Sequence, residues 1–284
     1  MHGREPIGVS YASKVGGARQ ARRAAARTAV GGGGVAGLLG ATAGVLYAQA
    51  QWARWRIGTP RRVPFAVDGV VGHGRGEPLR MVMLGDSGAA GLGADDPYDT
   101  VAMVIASGLA AETGRPVLLG SMAVVGARTS HLDAQVDRAL RRSPRPDLAV
   151  IIIGANDVTH LVSPATSAAA LEAVVQRLVE EGCAVVVGTC PDLGTIRPFP
   201  RPLRTIGHRW SHRLAVAQAA ATEAAGGHAV PLAELVGPEF DANPAEYFSE
   251  DRFHPSSVGY RRLGEELLTA ALGALQTATL TSKE

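Results

Sequence analysis

The chain has 284 residues, room for one large domain or two small ones, and its 46% apolar and 19% charged content is that of a chain that folds around a core, which excludes wholesale disorder. The formal net charge of +2 hides a division: residues 1–62 hold ten Arg and Lys against one acid, a net of +9, while residues 63–284 hold 18 basic and 25 acidic residues, a net of −7. A basic arm on an acidic globule argues against nucleic acid as a partner of the main domain.

Residues 1–27 form that arm, which ends in Arg19, Arg22, Arg23 and Arg27. From Thr28 to Ala53 no charged residue occurs. A basic flank followed by an uncharged stretch predicts a signal peptide or membrane anchor over residues 28–50, hence a protein that is secreted or held at the cell envelope. Seven glycines between Thr28 and Ala50 keep the stretch only mildly apolar. Ala48-Gln49-Ala50 is a small-x-small cleavage site if the segment is a leader; an uncleaved segment is an anchor, and both readings stand. Gly32, Gly34 and Gly37 satisfy G-x-G-x-x-G, but no strand precedes them and no acid follows at the dinucleotide spacing, so chance explains the match. Residues 51–77 are rich in Gly, Pro and Arg and read as a linker to a domain over residues 78–284.

From Leu79 onward strand and helix signals alternate. Apolar runs of strand length lie at Met81–Leu84, Val117–Leu119, Leu148–Ile153, Ala184–Val187 and Ala229–Leu232. Helical patterns run from Val101 to Glu112, stopped by Gly114; from Ser130 to Leu140, before Pro144; from Ser163-Pro164 to Leu178, stopped by Gly182; from Ile206 to Ala225, closed by Gly226-Gly227; and from Ser256 through Leu268. Five apolar strands alternating with helices predict a three-layer α/β/α sandwich around a five-stranded parallel sheet covered on both faces. Cys183 and Cys190 flank the fourth strand. Seven extended residues span roughly 20–25 Å, whereas a disulfide needs Cα atoms within about 7 Å, so two free thiols are expected.

In a parallel sheet the loops after the strands converge on one edge, where open α/β folds keep their sites. The loop after the first run holds Gly85-Asp86-Ser87, the loop after the second holds Gly126, and the loop after the third holds Gly154-Ala155-Asn156-Asp157. Asp251-Arg252-Phe253-His254-Pro255 precedes the last helix. Ester hydrolysis needs a nucleophile, a base, a group that holds the base, and donors for the developing oxyanion. Ser87, His254 and Asp251 fit the first three roles. The backbone N–H of Ser87, that of Gly126 and the side-chain amide of Asn156 fit the fourth. Each residue also has a plainer reading: Ser87 as a helix cap, Asn156 as a turn residue, Gly126 as a residue that allows positive φ, the Asp-x-x-His pair as a surface feature.

These four blocks, in this order, resemble the GDSL or SGNH hydrolases, and the resemblance covers about Leu79 to Leu275. It is similar in particular to exported GDSL-like esterases of actinobacteria, which carry a short basic and apolar N-terminus. The resemblance implies a flavodoxin-like SGNH fold, ester hydrolysis through a Ser87-His254-Asp251 triad, an oxyanion site of Gly126 and Asn156, and a structural Asp157 that orients the Asn156 loop. It implies no cofactor and no metal. Gly88 replaces the leucine of the family name, and Ser121 stands where the family often has an asparagine five residues before the glycine.

The expected substrate is a small or lipid carboxylic ester, or a thioester, with a short acyl chain, and the expected enzyme is a monomer. The segment Arg197–Trp210, with Phe199 and Trp210, is expected to border the acyl pocket. An O-deacetylase of envelope polysaccharide or a lysophospholipase uses the same machinery, and a catalytically silent, membrane-tethered binding domain is the rival of another class. His208 and His212 stand four apart in HRWSH, a spacing that suits zinc, but with no third ligand near in sequence they read as a solvated helix face. His131, His160 and Asp95-Asp96 read as exposed loop positions.

Overall fold

The computed structural model describes residues 41, 44–49, 51–52 and 63–281. The chain separates into two compact units, Met1–Ala50 and Gln51–Glu284. In the first, residues 41 and 44–49 are helical; the basic arm and the rest of the expected leader lie outside the described residues. Among the described residues no helix is long and apolar enough to cross a membrane.

The second unit is built on a sheet of β1 (Gly69–Val71), β2 (Leu79–Gly85), β3 (Val117–Ser121), β4 (Leu148–Ile152), β5 (Ala184–Gly188) and β6 (His228–Val230). The order across the sheet is β1-β3-β2-β4-β5-β6. Strands β2 to β6 are mutually parallel, as the five apolar runs predict. Strand β1 is a sixth, paired antiparallel to β3 with Val70 opposite Leu118. The five expected parallel strands are thus joined by one short edge strand, which falls within residues 51–77, the segment expected as a linker. Three residues, one of them Gly69, are too short to show a period, so this edge strand has no signature of its own.

The helices between the strands are α1 (Val101–Thr113), α2 (Leu132–Leu140), α3 (Ala155–Thr159), α4 (Pro164–Glu180) and α5 (Leu203–Ala224), and after β6 come α6 (Leu232–Leu235), α7 (Gly237–Ala242), α8 (Pro244–Tyr247) and α9 (Ser257–Thr281). Their ends follow local chemistry. The Thr100 hydroxyl accepts from Met103 N at the start of α1, and Gly114 closes it in the left-handed conformation. Ser163 caps α4 with Pro164 in the first turn.

Successive strand residues feed opposite cores, the period of two that a pleated sheet imposes. Met81, Met83, Leu148, Val150 and Ile152 pack with α1 and α9. Val82, Leu84, Ala149, Ile151 and Ile153 pack with α2 and α4. Because both faces are covered, β4 and β5 are buried along their whole length, and the sequence shows runs rather than alternation. Strand β2 lies between β3 and β4, so the winding reverses direction beside it. That switch point is where a crevice opens at the carboxyl edge, and Ser87 follows β2 by two residues.

Candidate active site

At the end of β2, Gly85 has φ +136°, and a Cβ there would lie 1.9 Å from the Ile152 carbonyl oxygen. Only glycine lets the strand turn this close to β4. Asp86 N then donates to Ile152 O at 3.2 Å, and Ser87 follows, buried but facing the crevice. Buried Gln135 of α2 holds the turn from the other side: Gly85 N donates to its Oε1 at 2.8 Å, and its Nε2 donates to Gly85 O at 2.9 Å.

His254 reaches this turn from the loop before α9. Its Nε2 lies 3.0 Å from Ser87 Oγ, and its Nδ1 lies 2.6 Å from Asp251 Oδ2. A carboxylate only accepts, so the shared hydrogen belongs to Nδ1. When the ring is neutral, Nε2 is then the lone-pair nitrogen, and the Ser87 hydroxyl donates to it. The second Asp251 oxygen accepts from Phe253 N, His254 N and Ser249 Oγ at 2.8, 2.9 and 2.9 Å. Partial burial works to raise the Asp251 pKa, but the hydrogen bond and charge of His254, with the two backbone donors, outweigh it and hold the carboxyl at about 2. At neutral pH this group is an anion beside the imidazole. Arg252 adopts φ +58° inside this four-residue turn, the only non-glycine besides Leu161 with positive φ among the described residues.

The other two blocks close on the same place. Gly126 has φ +80° at the tip of its loop, the left-handed conformation that its plainer reading requires. Asn156 Nδ2 donates to Ala127 O at 3.0 Å and to Asp86 Oδ2 at 3.4 Å. Asp157 is buried and accepts from Thr129 N at 3.0 Å, tying α3 to the Gly126 loop. Among the described residues the backbone N–H groups of Ser87 and Gly126 meet no acceptor. At the end of β3, the Ser121 backbone N–H donates to Asp68 Oδ1 at 2.6 Å, a partner from the segment expected as a linker. Burial, opposed by the Gly88 N–H, the charge of His254 and the Asn156 amide, raises the Asp86 pKa to about 6.

An apolar cavity of about 90 Å³ opens from Ser87 and His254 toward the α9 side of the sheet. Its walls come from Leu193 and Ile196 after β5, from Leu232 of α6, Val236 at the junction and Phe240 of α7, and from Phe253. The expectation that Phe199 and Trp210 border it is corrected: Phe199 packs on Phe253 with ring centroids 6.3 Å apart, and the Trp210 indole donates to Val162 O at 3.1 Å. Sequence reasoning missed the α6–α7 wall, because these helices are four and six residues long and carry no period. It also missed Gln135 and the equally buried Gln218, which accepts from Cys190 N at 2.7 Å and donates to Ile153 O at 3.1 Å. A polar residue on the inner face of an amphipathic helix was the available signal.

Cys183 and Cys190 are free and buried, as expected, and burial lifts the Cys183 thiol to about 12. His131 and His160 are exposed. His208 and His212 do not stand alone on a solvated face, as their sequence neighbourhood implies. The turn after β5 brings Asp192 to both, with His208 Nδ1 2.9 Å and His212 Nε2 3.4 Å from Asp192 Oδ2.

A doubly wound α/β/α domain with a hydroxyl, an imidazole and a carboxylate in line at the carboxyl edge is the architecture of the SGNH-type hydrolases. The GDSL-like Lipase/Acylhydrolase family matches residues 83–262, and the chain belongs to that family. It is 42% identical over 241 residues to the GDSL-like esterase Rv1075c of Mycobacterium tuberculosis, covering 81% of this chain and 77% of that protein. Solved structures share the fold at lower identity. TesA aligns with TM-score 0.55 and 20% identity over 69% of this chain and 99% of its own. A single-site mutant of Axe2, an acetyl-xylooligosaccharide esterase from Geobacillus stearothermophilus, aligns with TM-score 0.54 and 19% identity over 70% of this chain and 96% of its own. The protein is an ester-hydrolysing enzyme.

Proposed function

We propose that the enzyme cleaves carboxylic esters of short acyl chains, or the corresponding thioesters, through an acyl-enzyme on Ser87. The observation that carries this reading is the line from Ser87 Oγ through His254 to Asp251, at 3.0 and 2.6 Å. His254 Nε2 takes the Ser87 proton as Oγ bonds to the acyl carbon. The imidazolium then gives that proton to the leaving oxygen or sulfur. Water enters, His254 takes a proton from it, the hydroxide oxygen bonds to the acyl carbon, and the proton returns to Ser87 as the acid departs. The Asp251 anion stabilises the imidazolium and fixes its tautomer.

The negative acyl oxygen takes hydrogen bonds from the Ser87 and Gly126 amides and from Asn156 Nδ2. Of the two Asn156 bonds, the 3.4 Å contact to Asp86 is the one given up to the oxyanion, while the 3.0 Å bond to Ala127 O keeps the amide aimed. The apolar cavity beside Ser87 takes the acyl chain. Its volume of about 90 Å³ is below the roughly 150 Å³ of a cavity that admits benzene, which supports chains of a few carbons. We also infer export from the basic and uncharged N-terminal pattern; fractionation with N-terminal sequencing of the mature protein tests it, and a cytosolic chain with an intact N-terminus would refute it.

The experiment for the reaction is a panel of p-nitrophenyl esters and acyl thioesters against the purified chain and Ser87→Ala. Acetyl and butyryl esters are expected to turn over faster than long-chain esters, and a serine-directed organophosphate to label Ser87. Equal activity in Ser87→Ala would overturn the mechanism, and a preference for long chains would overturn the substrate class.

A further inference from the structure

We propose that Asp192, His208 and His212 form a binding site for a divalent transition-metal ion of the zinc type, outside the Ser87–His254 line. The two histidines are one helical turn apart on α5, and the turn after β5 presents Asp192 to both. His208 Nδ1 is 2.9 Å from each Asp192 oxygen, and His212 Nε2 is 3.4 Å from Oδ2. All three ligand atoms lie within 4.8 Å of one another. Tetrahedral zinc with bonds of about 2.0–2.2 Å sets its ligand atoms roughly 3.3–3.5 Å apart, so small side-chain shifts suffice. Two imidazoles with one carboxylate suit zinc and its neighbours better than calcium or magnesium, which take oxygen ligands.

The carboxylate is already aimed. Asp192 Oδ1 accepts from Gly194 N at 2.7 Å, and a Cβ at Gly194 would lie 2.8 Å from His208 Cβ. The glycine lets the turn press onto the helix. Ser211 joins the two pieces: its Oγ accepts from Leu193 N at 3.2 Å and donates to His208 O at 3.0 Å. Supporting bonds of this kind orient first ligands in known metal sites. With the ion bound, His208 Nδ1 and His212 Nε2 each present a lone pair to it, and the other ring nitrogen of each carries the hydrogen. The histidine side chains remain 50% and 37% exposed, which leaves a fourth position to water. Arg209 and Arg213 of α5 are exposed as well, and solvent screens their charge. Asp192 and Leu193 also line the cavity beside Ser87, so the ion locks that wall to α5.

The test uses the full chain without an affinity tag, stripped with a chelator and titrated with zinc chloride by calorimetry. One ion per chain and a raised melting temperature are expected. The His208→Gln/His212→Gln variant is expected to bind at least about 100-fold more weakly, beyond the 10–100-fold typical of losing a supporting partner, and to keep its metal-free turnover of p-nitrophenyl butyrate. Cobalt(II) gives a second readout that needs no variant. Intense visible bands of a four-coordinate ion support the site, and the faint spectrum of an octahedral ion overturns it. Equal zinc affinity in wild type and variant, or no binding by wild type, overturns it too. The calorimetric, melting and cobalt readouts do not depend on Ser87, so the esterase mechanism and the metal site can fail separately.

Discussion

His254 Nε2 stands 3.0 Å from the Ser87 hydroxyl although 167 residues separate them in the chain. The sheet makes this meeting. Ser87 is placed by the end of β2, and His254 by a tight turn whose three donors converge on one Asp251 oxygen. Asp251 thus does two things at once, shaping the turn with Oδ1 and orienting the imidazole with Oδ2.

Asp251→Asn presents an amide where His254 Nδ1 needs an acceptor. It is expected to lower kcat about 10⁴-fold with a smaller change in KM, measured on p-nitrophenyl butyrate. The group also leaves a mark on acid stability. Its folded pKa of about 2 lies below the ordinary value near 4, so its contribution is present above pH 4 and lost as pH falls to about 2. The gap in urea midpoint between wild type and Asp251→Asn should close across that window. A gap unchanged from pH 6 to pH 2 would contradict the assignment.

On the proposed mechanism, Asn156→Ala removes one of the donors to the negative acyl oxygen. A loss of about 10²–10³-fold in kcat is expected, with KM nearly unchanged because the ground-state carbonyl needs the amide less. A rise in KM at constant kcat would show instead that Asn156 only binds substrate.

Asp86 titrates in the opposite sense. Its folded pKa of about 6 exceeds the ordinary value, so the folded state holds the proton more tightly. Its contribution to stability is full below pH 4 and lost as pH rises through 6. Wild type should therefore lose urea stability relative to Asp86→Asn between pH 4 and 6, a window separate from that of Asp251. Parallel curves would remove burial as the dominant influence on this carboxyl.

Gln135→Leu leaves Gly85 N buried without its acceptor. A destabilisation of about 1–3 kcal/mol is expected, read by urea denaturation, with activity falling as well because the Ser87 turn loses its brace. Unchanged stability would mean that another group, or water, takes the bond.

The five parallel strands and the four motif blocks are legible in the sequence because each carries a local signal. Apolar runs mark strands buried on both faces, and glycines with small polar residues mark the strand ends. What escapes the sequence is long-range. Gln135 reads as one polar residue in α2 until Gly85 is placed against it. Asp192 lies 16 residues before His208, and only the turn after β5 makes them neighbours. Phe199 and Trp210 look like pocket walls by proximity along the chain, yet the cavity is closed by α6 and α7, segments whose side chains gain meaning only once packed on α9.

The pairing of β1 with β3 has a bearing on how the protein is handled. Without residues 69–71, β3 becomes an open margin of unpaired backbone groups, a template on which a second copy can add. The same trimming removes Asp68, the acceptor for Ser121 N near the Gly126 loop. A recombinant form starting at Pro78, where the strongly patterned part begins, is expected to be sticky and poorly active, whereas one that retains Val63 onward keeps its rim sealed.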